Sequence, residues 1–370
     1  MGEDKKLIEK RIIDAAVEIR HNVALEVVYQ HGIFCQVALP RSKPEGSTFE
    51  RSFKNASIKI RAGELWDGRK WVEQSIPYGP KPRLALIHFN SEAVRTGNPV
   101  IEIGRSCAAF LRDIGLPDQD GRTYNLFKRQ MMALAAAELK IGFTVDRQAV
   151  TLDAKPIKEF RAWLANDDKQ EPLWPGYLEL SQEYFENLKA HAVPLDPRAL
   201  SALSHSALAL DIYSWLGRRL HTLSKPVKVA FPHLKEQFGQ EYTGEKADDH
   251  FKEKFLKMTK QVLAVYPDAN VVQVTGGLIL NPSKPPVRKT IMLIQGHRNP
   301  KQEPLPLLRP PQQPNLTPLT IERFRGLYAG LDPYACQGDF DSWLSGKDNP
   351  PVNYDRAFLG FARKWAKGKR

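Results

Sequence analysis

Along much of the chain, apolar residues recur at helical spacing while lysine and arginine fill the faces between them. The stretch HFKEKFLKMTKQVL, residues 250–263, is the clearest case. Phe251, Phe255, Met258 and Val262 stand at i, i+4, i+7 and i+11, one face of a helix. Lys246, His250, Lys257 and Lys260 lie broadly opposite, with Lys254 on the flank. DKKLIEKRIIDAAVEI near the start predicts a further helix built on Leu7, Ile12, Ala16 and Ile19. Between Gly32 and Trp71 the texture changes: GIFCQVALP and ASIKIRAGELWDG predict strands, with a turn at Asp67-Gly68.

The pattern repeats. Leu84-Ala85-Leu86 returns as Leu208-Ala209-Leu210, FLRDIG (110–115) as LKEQFG (234–239), and Phe127-Lys128 as Phe251-Lys252, all at one offset of 124 residues. A period that long belongs to a domain and not to a solenoid unit. Each half predicts a long helix (RLALIHFNSEAVRT; SALALDIYSWLGRRLHTL), a short strand (VIEI; VKVAF) and a short helix ending in glycine. A second helix follows, from about Thr123 or Ala247, and then two strands joined by a tight turn (LKIGFTV and AVTL; VVQVT and LIL). Helix, strand, helix, helix, hairpin is the order of a winged helix, whose helix before the hairpin enters DNA.

The expected fold is therefore α+β and mainly helical, with two tandem winged-helix domains at 75–165 and 185–285. Residues 1–74 read as an N-terminal helix and β extension. Prolines 282, 285, 286, 300, 304, 306, 310, 311, 314 and 318 are too dense for helix or sheet, so 286–318 reads as a basic Pro-rich linker. Apolar TIMLIQG (290–296) interrupts it as a short docked strand. Residues 319–370 form a basic helical C-terminal region: LTIERFRGLY, a turn-rich middle, and YDRAFLGFARKWAKGKR, where Phe358, Phe361 and Trp365 share a face.

The helices preceding the two hairpins are the candidate DNA readers. In the first, Phe127, Met131 and Leu134 face inward, leaving Arg122, Asn125 and Arg129 outward, Lys128 on the flank and Thr123 at the start. Ala133 and Ala136 on that outer face are small enough to let a backbone or a groove approach closely. Arginine and asparagine suit bidentate bonds to guanine and adenine edges, whereas lysines mostly hold phosphates. The first half is thus the expected base reader. The second, with Asp248, Asp249 and Glu253 among its lysines, is the expected grip on the backbone. Arg105, Arg147 at the first hairpin tip, and Lys284, Arg288 and Lys289 after the second hairpin complete the candidate contacts. One basic amphipathic helix is usually a solvated surface; its repetition in the same slot argues otherwise.

A formal charge of +12 asks for a polyanionic partner. The longest apolar runs are too short to span a bilayer and the N-terminus lacks a signal-peptide stretch, so a cytoplasmic location is expected. Cys35, Cys107 and Cys336 are scattered and read as buried reduced thiols. There is no phosphate-binding glycine-lysine loop, no His-x-His pair beside a nucleophilic tyrosine and no zinc spacing. No enzymatic activity, cofactor or metal is therefore expected. The carboxylates of Asp339-Phe340-Asp341, placed in a loop, read as a turn or helix cap.

PYGPKPRLALIHFNSEAVRTG, IEIGRSCAAFLRDIGL and PLDPRALSALSHSALALDIYSWLGRRL resemble the RepA family of bacterial plasmid replication initiators, from Ser75 to Pro286. The final YDRAFLGFARKWA resembles tails found on such proteins. The resemblance implies tandem winged-helix domains on repeated sites (iterons) at a plasmid origin, opening of an AT-rich segment, and copy control through repression of the protein's own promoter. It also implies recruitment of host replication proteins, among them the initiator DnaA and the replicative helicase or its loader. A dimer–monomer switch is common in such proteins, which leaves a homodimer open. Double-stranded origin DNA is the main expected partner, single-stranded DNA a further one through the C-terminal helix, and no membrane is expected. The nearest rival is a winged-helix transcriptional repressor without initiator activity. A primase- or nuclease-like enzyme and a peripheral membrane protein are more distant ones.

Overall fold

The structure is a computed structural model that describes residues 2–103, 110–111, 114, 121–145, 148–153, 156–162, 175–287, 316, 318–328, 331–344, 351 and 354–366. The chain divides into two compact units, 1–291 and 292–370.

The first unit begins with α1 (Gly2–His21), β1 (Val28–His31), a 3-10 turn (Gly32–Cys35), β2 (Thr48–Phe53), β3 (Ala56–Arg61), β4 (Glu64–Trp66) and β5 (Trp71–Glu73). There follow α2 (Pro80–Thr96), β6 (Val100–Glu102), α3 (Gly121–Ala136), β7 (Glu138–Val145), β8 (Gln148–Asp153), β9 (Ile157–Ala162) and β10 (Pro175–Leu180). The remainder is α4 (Gln182–His191), β11 (Ala192–Leu195), α5 (Pro197–Leu203), α6 (Ala207–Arg219), β12 (Val227–Ala230), α7 (Phe231–Phe238), α8 (Ala247–Val265), β13 (Val271–Val274) and β14 (Gly277–Leu280).

Local chemistry sets the helix ends. Pro80 opens α2, where its missing N–H costs nothing, and Gly97 closes it at a φ of 66°. The Ser206 hydroxyl accepts from the Ala209 N–H at 3.2 Å and so caps α6. The repeated positions do the same packing job in both halves. Leu86, Phe110 and Phe127 are buried in the core of one, Leu210, Leu234 and Phe251 in that of the other.

The second half closes as expected: β12 pairs with β14, and β14 with β13, in one antiparallel sheet. The first half does not. Its hairpin β7–β8 extends a sheet of order β2-β3-β7-β8, with Ile58 opposite Ile141 and Ile60 opposite Leu139. Strand β6 joins β10 and β9 instead. Residues 1–74 are therefore no appendage. They supply half of that sheet, β1 pairs with β11, and Ile12 and Ala15 of α1 join the core of the second half. Strand β10, which lies between the two expected domains, is the central strand of its sheet.

Two local expectations also change. GIFCQVALP holds the 3-10 turn and not a strand, because the His31 imidazole accepts from the Ile33 N–H at 3.2 Å and caps a tight turn. In α1, Leu7 lies on the exposed face.

Charged groups bind the halves together. Arg83 on α2 pairs bidentately with Asp211 on α6, at 2.7 Å to Oδ1 and 3.0 Å to Oδ2. Its remaining donors reach the carbonyls of Leu39 (2.6 Å), Pro40 (3.0 Å) and Gly79 (2.7 Å). All five guanidinium N–H groups are thereby used. Arg41 approaches Asp211 at 3.4 Å and Glu241 at 3.3 Å, and buried Arg51 also pairs with Glu241.

The second unit is helical: α9 (Pro318–Leu327), α10 (Pro333–Leu344) and α11 (Tyr354–Trp365). Phe324, Cys336, Phe340, Phe358 and Ala362 form its core. The expected turn-rich middle is in fact α10. TIMLIQG and nearly all of the Pro-rich linker lie outside the described residues.

Candidate nucleic-acid interface

Helix α8 is positioned by the inward face that its sequence spacing predicts. Phe251, Phe255, Met258 and Val262 are all buried. Phe238 of α7 meets Phe255 at 5.5 Å between ring centroids. The close approach of α7 to α8 requires Gly239, where an added Cβ would stand 2.6 Å from the Phe251 ring. Opposite this core, Lys246, His250, Lys254, Lys257 and Lys260 are exposed along the whole outer face. Such a row lines one face of the helix with basic side chains from the first turn to the fourth.

Acidic residues interrupt the row in its first two turns, at Asp248, Asp249 and Glu253. Asp248 pairs with Lys235 of α7, so part of its charge is already met. Lys252 lies over the Phe231 ring at 5.2 Å and lines an open concavity with Gln273, Thr275 and Gly276 at the tip of the β13–β14 hairpin. Sequence spacing singled out Phe251-Lys252 for the repeat and not for contact. The signal for Lys252 is its place between helix and hairpin, which spacing alone does not reveal. The hairpin tip itself is Thr275-Gly276, with Gly276 at a φ of 80° and no cation.

Helix α3 is more covered. Phe127, Met131 and Leu134 face inward as expected, and Asn125 and Arg129 are exposed, with Lys128 partly so. Ala133 and Ala136 are buried, contrary to expectation. The backbone that approaches Ala136 is the chain's own. At Gly63, beside β4, an added Cβ would lie 2.1 Å from the Ala136 carbonyl oxygen. Small side chains do admit a close neighbour here, but it is residue 63 and not a groove. The accessible part of α3 is its N-terminal half.

The side chains of Arg122 and Thr123, and all of Arg105, Arg147, Arg288 and Lys289, lie outside the described residues. Lys284 is exposed, and its carbonyl accepts from the Tyr266 hydroxyl at 2.6 Å. The interface thus brings together the α8 row, Lys252 and the hairpin tip, and separately Asn125 with Arg129.

Among the described residues no cluster of histidine, cysteine and carboxylate side chains is arranged to hold a metal, and no helix is long and apolar enough to cross a membrane. Asp339 and Asp341 sit on α10 and not in a loop; they accept from the Trp365 indole (2.7 Å) and the Tyr354 hydroxyl. They bind α11 to α10. Phe358 is buried in the same small core, with Phe361 and Trp365 packed against it. Burial pushes the Cys35 thiol up to about 12, which keeps it protonated and unreactive.

Residues 76–231 match the family model described as plasmid encoded RepA protein. Among curated proteins none matches the chain. Two solved structures of RctB, both covering its domains 2 and 3, show a partial likeness to this chain. One has a TM-score of 0.45 and 11% identity, covering 70% of this chain and 99% of that one. The other has a TM-score of 0.40 and 12% identity, covering 67% and 94%.

Proposed function

We propose, from the chain's membership through residues 76–231 in the family of plasmid-encoded RepA proteins, that it initiates plasmid replication by binding repeated duplex sites at an origin. The observation that carries this is the exposed cation row of α8, on the helix that precedes the hairpin of a sheet ordered β12-β14-β13. Helix α6, strand β12, helices α7 and α8 and the hairpin follow the order of a winged helix, in which α8 is the recognition helix. The first half repeats the long helix and the helix before the hairpin, but it lends that hairpin to another sheet, so it is a winged-helix variant at most. Asn125 and Arg129 at the open end of α3 serve for base readout, since recognition helices present their N-terminal residues to base edges. The α8 lysines grip phosphates.

The mechanism is non-enzymatic. Binding to adjacent sites strains a neighbouring AT-rich segment, whose flexible steps cost least to deform. The basic C-terminal unit serves to engage a host initiator such as DnaA, the replicative helicase or its loader. The alternative is a repressor that uses the same helices without opening DNA. A triple Lys254→Ala, Lys257→Ala, Lys260→Ala variant tests the reading by fluorescence anisotropy over a salt series. The slope of log affinity against log salt is expected to fall by about one for every phosphate that the variant no longer neutralises. An unchanged slope would remove α8 from the interface. Protection of a single inverted repeat over a promoter, with no opening of adjacent DNA, would favour the repressor.

A further inference from the structure

Among the described residues, Trp66 and Trp71 are the most exposed tryptophans, at 54% and 64%. They stand directly opposite each other on hairpin β4–β5, with ring centroids 5.7 Å apart and planes tilted by 60°. Leu65, on the other side of the ribbon, packs against the core of the first half. Strand alternation therefore places both indoles on the outer face. Leaving two such large apolar rings in water is unfavourable unless something covers them in use.

The turn between them is fixed. The Asp67 carboxylate accepts from the N–H groups of Arg69 and Lys70, each at 2.8 Å, and Gly68 takes a φ of 100°. Two exposed cationic side chains are thus held at the tip, next to the paired indoles. Charge reverses at the base of the hairpin. Glu64 and Glu73 face each other across the ladder, and Glu138 lines the same concavity with Trp71. The hairpin is seated against the C-terminal end of α3 through Gly63, on one of the two helices assigned to DNA.

We propose that β4–β5 is a contact for unpaired DNA, with bases stacking on Trp66 and Trp71 and phosphates held by Arg69 and Lys70. This rests on the DNA-binding reading above and adds the strand exposed when duplex opens. Duplex DNA hides the faces of its bases, whereas an unpaired strand offers them, and stacking on aromatic side chains tolerates any sequence. The acidic base repels phosphates and so directs the strand across the tip. A basic peptide would instead seek the Glu64, Glu73 and Glu138 side.

The test measures anisotropy of the full chain with two probes, a thymidine oligonucleotide of about twenty residues and duplex from the replicon's own origin. Trp66→Ala with Trp71→Ala is expected to weaken oligonucleotide binding about tenfold or more, and duplex binding less than about twofold. Trp66→Phe with Trp71→Phe keeps the rings and most of the affinity, which separates stacking from collapse of the hairpin. Glu64→Gln with Glu73→Gln is expected to tighten oligonucleotide binding. Unchanged oligonucleotide affinity in the alanine variant would overturn the proposal. So would an equal loss on both probes, or weaker oligonucleotide binding after the glutamine changes. Absence of duplex binding by the unaltered chain would instead refute the origin-binding function, independently of the tryptophan result.

Discussion

Asp211 lies within the apolar run LALDIYSWLG of α6, and its carboxylate is the counter-charge for buried Arg83 and partly buried Arg41. Replacing it by alanine leaves the Arg83 guanidinium, 3% exposed, with three carbonyl acceptors and no opposite charge within the site. Arg41 keeps only Glu241. Breaking one side of a buried pair costs about 3–5 kcal/mol, because the remaining charge is neither hydrated nor neutralised. The three carbonyls that stay on Arg83 place this case near the lower end, about 3 kcal/mol. Asp211→Asn keeps the size and one acceptor oxygen, so roughly half of that is expected. Removing both partners, as Arg83→Met with Asp211→Leu, exchanges the pair for apolar packing and is expected to recover most of the loss. Urea unfolding of the full chain, followed by far-ultraviolet circular dichroism, measures all three. A loss below about 1 kcal/mol for Asp211→Ala, or a double variant less stable than the single, would refute the reasoning. Because this pair joins α2 to α6, the alanine variant is also expected to weaken binding to DNA that engages both halves.

Arg129→Ala is expected to lower affinity for the specific site about tenfold and for unrelated duplex much less, read by competition anisotropy; equal losses would remove Arg129 from base readout. Gly63→Val inserts atoms where even a Cβ lies 2.1 Å from the Ala136 carbonyl oxygen, so a loss of about 2 kcal/mol or more is expected in thermal unfolding; a smaller loss would mean that the β4 edge is not held against α3. Burial, helped by nearby His191 and Arg218, holds the His31 imidazole down to about 3 from its ordinary value of 6.5. The unfolded chain then binds a proton that the folded chain does not, so this contribution is complete above pH 6.5 and is lost as pH falls toward 3, by up to about 1.4 kcal/mol per pH unit. His31→Phe is expected to flatten that acid limb, and an identical limb in the variant would assign it to other groups.

What was legible in the sequence was whatever one face of one element decides. The inward row Phe251, Phe255, Met258 and Val262 and its outward lysines follow from helical spacing alone, and the structure keeps every one of them. The matched burial of Phe127 and Phe251 likewise follows from the repeat. What spacing does not contain is the identity of a distant partner. Ala133 and Ala136 have the side chains of an open face, yet both are buried, and the backbone at Gly63 lies against Ala136. Ile58 and Ile60 alternate as a strand should, but nothing near them names β7 as the neighbour. Strand β10 pairs with strand β6, far earlier in the chain, across a boundary that composition placed between domains. Asp211 did carry a signal, since a lone carboxylate in an apolar helix requires a buried cation. Its partner is 128 residues away. The DFD carboxylates show the reverse: adjacent in sequence, they turn to separate partners on α11.

The most direct test is a hydroxyl-radical footprint of the full chain on the DNA flanking its own gene. The proposed use of both α3 and α8 on DNA predicts protection of directly repeated sites, each about two helical turns long and contacted on one face of the duplex, beside an AT-rich tract that becomes reactive to single-strand probes. Protection confined to one inverted repeat, or none over any direct repeat, would contradict the account.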